Sequence, residues 1–147
     1  MKKLILAFFL LLSLFTANAQ FLIKFSSPAG NQNDFVNVKV ETDNFTKITA
    51  TQYSITYDSA VLELVDVVNK KVDYNVNVGD HRGGAANIKN GQLTFTWNSE
   101  TSDPVTFPNN TGLFEIRFKL IGKPCDSSFI RLANKPTSIE VLDENEE

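Results

Sequence analysis

The chain is poor in the residues that build disulfide frameworks and many catalytic sites: its 147 residues include one cysteine, one histidine, one methionine and one tryptophan. The single cysteine, Cys125, allows no disulfide within the chain, so the disulfide framework of many small secreted domains is excluded. A thiol nucleophile would also need a base, and the only histidine, His81, lies far away in a Gly-rich segment. We therefore expect Cys125 to be a small buried residue and His81 to be a solvated loop residue.

Motifs of the common enzyme classes are absent too. The chain has no G-x-S-x-G, H-E-x-x-H, Walker loop or paired C-x-x-C, and its acidic residues stand singly at turns instead of forming the facing pair that glycoside cleavage needs. Asp73, Asn75, Asn77 and Asp80 cluster without the spacing of a calcium loop, and solvated turn residues explain them better. We predict a protein that is not an enzyme and that uses no cofactor or metal ion.

No hydrophobic run is long enough for a membrane-spanning helix. The uncharged run Leu4–Phe15 has 12 residues, whereas a helix needs about 20 to cross a bilayer. Lys2 and Lys3 precede this run and Ala17-Asn-Ala19 follows it, which is the pattern of a secretory signal peptide over residues 1–19. We expect a mature chain that begins at Gln20, that is secreted to the extracellular space or the cell surface, and that is not inserted in the membrane.

An excess of either charge is also missing from the body of the chain. Lysine and arginine balance aspartate and glutamate over residues 20–139, and the acidic surplus lies in the last eight residues. Nucleic acids and anionic membranes are bound mainly through clustered lysine and arginine. We therefore predict neither partner.

Two-residue alternation, rather than helical spacing, dominates the rest of the sequence. Apolar residues recur at every second position in four segments, with polar residues between them. The predicted inward sets are Phe35, Val38 and Val40; Tyr53, Ile55 and Tyr57; Leu93, Phe95 and Trp97; and Phe114, Ile116, Phe118 and Leu120. Segment 61–65 fits a strand or a helical turn, and Ile139–Leu142 reads as the start of a strand.

Turn signals separate these segments, the strongest being Asn90-Gly91, where both residues tolerate a positive φ. Many short strands with almost no helix predict an all-β fold, an antiparallel sandwich or barrel. We expect Trp97 in the core between the sheets.

Two sets of residues are candidates for binding. An uncharged polar set lies opposite the apolar positions and could bind a protein or simply be a solvated sheet face: Gln52, Ser54, Thr94, Thr96 and Asn98. The outer positions of the next alternating segment, Glu115, Arg117 and Lys119, are charged by contrast. Tyr74 and Phe107 are the better candidates for exposed rings that would bind carbohydrate.

The segment Gln52–Val68, an alternating strand followed by Tyr57-Asp58 and then Val61-Leu62-Glu63, resembles the pattern of cohesin domains. The other strands follow in the family's order, so the resemblance covers nearly all of residues 21–142. It is most similar to cohesin-like modules of large secreted or surface proteins of Bacteroidetes. The resemblance implies a nine-stranded jelly-roll sandwich over residues 20–142, with the acidic end 143–147 after it and the family's final strand beyond Glu147.

Family resemblance further implies a non-catalytic module, which in cellulosome systems binds a calcium-loaded dockerin on one sheet face. Where characterised cohesins have Asn and Asp before the alternating strand, this chain has Ala50 and Gln52. Three functions remain open: binding of a protein, either dockerin-like or another surface protein; binding of a polysaccharide during its catabolism; and a purely structural role in a larger surface protein.

Overall fold

The computed structural model describes residues 21–71, 75–76 and 84–145. This part of the chain forms strands joined by antiparallel pairing, with one short helix. The strands are β1 (Leu22–Phe25), β2 (Phe35–Asp43), β3 (Ile48–Thr56), β4 (Leu62–Val68), β5 (Asn75–Val76), β6 (Gln92–Asn98), β7 (Thr111–Leu120), β8 (Arg131–Ala133) and β9 (Glu140–Asp143), and the helix α1 (Gly84–Lys89) lies between β5 and β6. The prediction of an all-β antiparallel sandwich is confirmed.

Two sheets make up the sandwich. Sheet I has the order β1-β2-β7-β4, and sheet II has the order β5-β6-β3, with β8 and β9 both pairing along the remaining edge of β3. Strand β3 is therefore the centre of sheet II, because it touches β6 on one side and the two short strands on the other.

The core lies between the sheets and is built from the predicted inward residues. Tyr53, Phe95 and Phe114 are all buried, and the Phe95 ring lies 5.6 Å from the Tyr53 ring within sheet II and 4.7 Å from the Phe114 ring of sheet I, centroid to centroid. Such offset ring pairs add directional contacts to the area they remove from water. Trp97 is 5% exposed, so its predicted burial is confirmed.

Phe45 closes one end of this core. It follows β2, is fully buried, and lies 5.8 Å from the Trp97 ring and 4.9 Å from the Phe107 ring. The loop that carries Phe107 is held beside it, since the Phe107 amide donates to the Phe45 carbonyl at 2.8 Å.

Phe35 and Cys125 were expected to be buried, and both are exposed. Phe35 is 53% exposed, because Val36, Val38 and Val40 share the inward parity of β2 and leave Phe35 on the outer face, where the Arg117 guanidinium lies 5.0 Å from its ring. Cys125 is exposed in the loop after β7 with a φ of 72°, so it is not part of the core.

The segments that the pattern left open are resolved as strands. Leu62–Val68 forms β4, and a register shift between Leu64 and Asp66 places a bulge at Val65. The predicted strand in 139–142 is confirmed as β9. The predicted turn at Asn90-Gly91 is confirmed directly after α1, with Gly91 at a φ of 70°.

Some sequence predictions concern residues outside the described part of the chain, namely the signal-peptide pattern over 1–19 and the loop residue His81. Across the described ranges, none of the helical structure is long and apolar enough to cross a membrane.

Candidate functional site

The two central strands of sheet II present an uncharged outer surface. Strand pairing places Ala50 opposite Asn98, Gln52 opposite Thr96 and Ser54 opposite Thr94. The predicted polar set is thereby brought together on adjacent strands, because residues of equal parity on paired strands share one face. We call this surface the neutral face; its members on β3 and β6 are Ala50, Gln52, Ser54, Thr56, Gln92, Thr94, Thr96 and Asn98.

Access to this face differs from residue to residue. Asn98 is exposed, and Gln52, Thr94 and Thr96 are half-buried. These four side chains are therefore open to a partner.

Ser54 requires a correction, because it is fully buried although it lies on the outer side of the sheet. Its hydroxyl donates to the Thr137 carbonyl and accepts the Thr137 amide, both at 2.9 Å. One side chain thus binds both backbone groups of a residue 83 positions away, and that residue covers it.

The covering segment is an excursion between β8 and β9. Ala133 pairs with Ser54, and Glu140 pairs with Gln52. Only one residue of β3 lies between these two pairs, whereas six residues, 134–139, connect Ala133 to Glu140. The Asn134 side-chain oxygen accepts the Ile139 amide at 3.1 Å and closes the excursion at its base. We call residues 134–139 the flap.

A shallow depression of about 130 Å³ lies on the neutral face beside the flap. Gln52, Thr96 and Asn98 line it from the central strands, and Glu140 and Leu142 line it from β9. Leu142 is 40% exposed. The sequence pattern predicted a strand here but did not indicate that Glu140 and Leu142 lie on this face. The alternation of the partly buried Val141 with these two exposed neighbours could have indicated it.

The outer face of sheet I is charged instead. Strand register places Lys39 opposite Glu115, Glu63 opposite Lys119, and Asp66 opposite Arg117. Opposite charges facing each other across strands stabilise a sheet, and they make its surface costly to strip of water. The predicted contrast between the two outer faces is therefore present.

The carbohydrate candidates do not form a platform in the described residues. Phe107 is half-buried against Phe45, and the Lys71 ammonium lies 5.4 Å from its ring, so the prediction of a freely exposed Phe107 ring is wrong. Tyr74 lies outside the described residues, as do Asp73, Asn77 and Asp80.

The resolved pKa shifts belong to groups away from the neutral face. Burial raises the pKa of Tyr57 to about 12, and the Tyr57 hydroxyl donates to the Ile88 carbonyl at the end of α1. Hydrogen bonds from Lys24 and the Asn110 amide lower the pKa of Asp43, the last residue of β2. In the parts of the chain that are described, no three histidine, cysteine, aspartate or glutamate residues group as metal ligands would.

Comparison with protein families matches residues 22–136 to the model of the cohesin domain. Comparison with curated proteins gave no match.

Solved structures of low sequence identity share the fold. The solution structure of CaCohA2 from Clostridium acetobutylicum is 20% identical, with a TM-score of 0.66 over 88% of this chain and 83% of that chain. A type I cohesin–dockerin complex from Clostridium thermocellum matches at 17% identity, a TM-score of 0.65, and 87% and 89% of the two chains. A non-cellulosomal cohesin from the archaeon Archaeoglobus fulgidus matches at 18% identity, a TM-score of 0.64, and 88% and 82%.

Proposed function

The chain belongs to the cohesin domain family, and on that premise we propose that it is a non-catalytic module that binds a protein partner through the neutral face of sheet II. A dockerin-type module is the first candidate partner, because several of the matched structures are cohesins in complex with dockerins. An adhesive contact with another surface protein would use the same face.

The observation that carries this proposal is the contrast between the two outer faces. Centres of protein interfaces are depleted in charged residues, because every charge removed from water must find a partner. The central strands of sheet II present no charged side chain on their outer side, whereas sheet I presents rows of them. A partner that covers the central strands of sheet II therefore strips fewer charges of water than one that covers sheet I.

Secretion is part of the proposal and is supported by the Lys2-Lys3 pair, the short apolar run and Ala17-Asn-Ala19. We place the module outside the cell, where it would assemble or attach proteins in a surface or polysaccharide-degrading system. Carbohydrate binding by the domain itself has less support, since the one described candidate ring, Phe107, packs on the core.

The test measures binding of purified, calcium-loaded dockerin modules from the same genome to the full chain. The variant Thr96→Arg with Asn98→Arg adds two charges to the neutral face. The matched control Asn37→Arg with Thr46→Arg adds the same two charges at exposed sites away from it. We expect at least one dockerin to bind the wild type and the control, and to lose binding to the neutral-face variant.

Two results would contradict the proposal. Absence of binding by every dockerin and surface protein tested would remove the protein-partner function. Binding that survives the neutral-face variant but is lost in the control would place the partner on another surface.

A further inference from the structure

Phe129 stands out among the large hydrophobic side chains of the described residues because it is 72% exposed, the highest value among them. It lies two residues before β8, in a segment where core-facing and exposed side chains alternate. Ile130 and Leu132 pack against the core, so Phe129 and Arg131 point away from it.

This outward direction leads onto the neutral face. Arg131 pairs with Thr56, whose side chain belongs to that face, and the Arg131 guanidinium lies 4.9 Å from the Phe129 ring centroid. The approach to β8 is held in place by Ser128, whose hydroxyl accepts the Asp58 amide at 2.9 Å. The ring therefore lies at one end of the face, on a segment that is hydrogen-bonded to Asp58, two residues after β3 ends.

Arg131 keeps its charge available for a partner. None of the carboxylates in the described residues lies within ion-pair distance of its guanidinium. A guanidinium that has no ion-pair partner can donate two parallel hydrogen bonds to one carboxylate.

Two opposite charges border the face from β8 and β9. Arg131 is beside Thr56 at the end of β3, and Glu140 is beside Gln52 in the middle of β3. The flap between them carries one further charge, the exposed Lys135. Aromatic residues and arginine dominate the binding energy of protein interfaces when they lie in a contact that excludes water. Phe129 and Arg131 supply both beside Thr56.

We infer that Phe129 and Arg131 anchor the protein partner by packing against an apolar side chain that stands next to an aspartate or glutamate. This inference rests on the proposed function and specifies the chemistry of its partner. Glu140, beside Gln52, favours a basic residue of the partner at that position and disfavours an acidic one.

A display library of random linear peptides, selected on the full chain, tests the anchor without a known partner. Peptides retained after counter-selection on Phe129→Ala should carry an aromatic or aliphatic residue next to Asp or Glu. Their affinity should fall about 30-fold or more on Phe129→Ala and on Arg131→Glu, as expected for residues that dominate an interface. The melting temperature should stay near the wild-type value, since the ring is exposed.

The chain contains its own matched control. Phe35 and Arg117 form a second exposed phenylalanine and arginine pair on sheet I, with the guanidinium 5.0 Å from the ring centroid. Phe35→Ala and Arg117→Glu should leave peptide affinity within about twofold of the wild type, which is below the energy of any anchoring contact.

Each of three peptide results would overturn the anchor: no enriched peptide, enriched peptides without the apolar–acidic pairing, or affinity that survives both Phe129→Ala and Arg131→Glu. A dockerin that ignores Phe129→Ala but is lost on Thr96→Arg with Asn98→Arg would also overturn it, and would leave the proposed function standing. Peptide binding through the anchor, with no dockerin bound, would support the anchor and exclude the dockerin-type partner.

Discussion

Ser54 offers the sharpest test of how the flap is held. Replacing it with alanine removes the hydroxyl that binds both the amide and the carbonyl of Thr137. A hydrogen bond within a protein contributes about 0.5–1.5 kcal/mol net, so the loss of two should lower the free energy of unfolding by about 1–3 kcal/mol. The change is small in volume, so a cavity contributes little to this estimate.

Urea unfolding followed by the fluorescence of Trp97, the only tryptophan, measures this change. Amide hydrogen exchange of Thr137 measures it locally, because the amide that Ser54 accepts in the wild type would open to solvent. Thr94→Ala is the matched control: it lies opposite Ser54 on β6 and is half-buried. We expect it to change stability by less than about 0.5 kcal/mol.

Equal stability of Ser54→Ala and the control, together with wild-type exchange at Thr137, would show that Ser54 does not hold the flap. The flap would then be held by its own turn, closed by Asn134 on the Ile139 amide. If Ser54→Ala lost partner binding without losing stability, Ser54 would instead be a partner-binding residue, as the sequence pattern predicted.

Other predictions follow from single positions. Trp97→Ala should cost roughly 3–5 kcal/mol in urea unfolding, as deletion of a large buried aromatic does, and wild-type fluorescence that iodide quenches strongly would contradict its burial. Gly91→Ala should destabilise by about 1–3 kcal/mol, because the residue has a φ of 70° and a Cβ would lie 2.0 Å from the Tyr57 carbonyl oxygen; an unchanged midpoint would refute this. Because the Tyr57 pKa is raised from 10.0 to about 12, stability should fall as pH rises between these values while only the unfolded chain ionises, and Tyr57→Phe should remove that fall in alkaline unfolding curves. The lowered pKa of Asp43 contributes stability above its unfolded value of 3.8 that is lost as pH falls below it, so Asp43→Asn should flatten the acid limb of the unfolding curve; an unchanged limb would show that its partners contribute nothing.

Much of the fold follows from local pattern. Alternation of apolar and polar residues identifies the inward side of β3, β6 and β7, because successive side chains of a strand point to opposite faces. The same rule places Gln52, Thr96 and Asn98 on one outer surface once their strands pair. The sequence alone predicted that this surface is uncharged.

Local pattern misleads where two adjacent residues are both apolar. Phe35 and Val36 fit opposite registers, and the larger residue is the exposed one, because Val38 and Val40 share the parity of Val36. The register of a whole strand decides such a case, since a slip of one residue would expose every buried side chain of β2.

Alternation determines the side of a sheet on which a residue lies, but only the tertiary structure decides what covers that side. Ser54 and Thr96 have the same pattern, yet the flap buries Ser54 and leaves Thr96 accessible. Phe107 packs against Phe45 and is half-buried, whereas Phe129 lies exposed beside Arg131. These differences come from segments tens of residues away whose positions depend on strand pairing across the fold, so no local window of the sequence contains them.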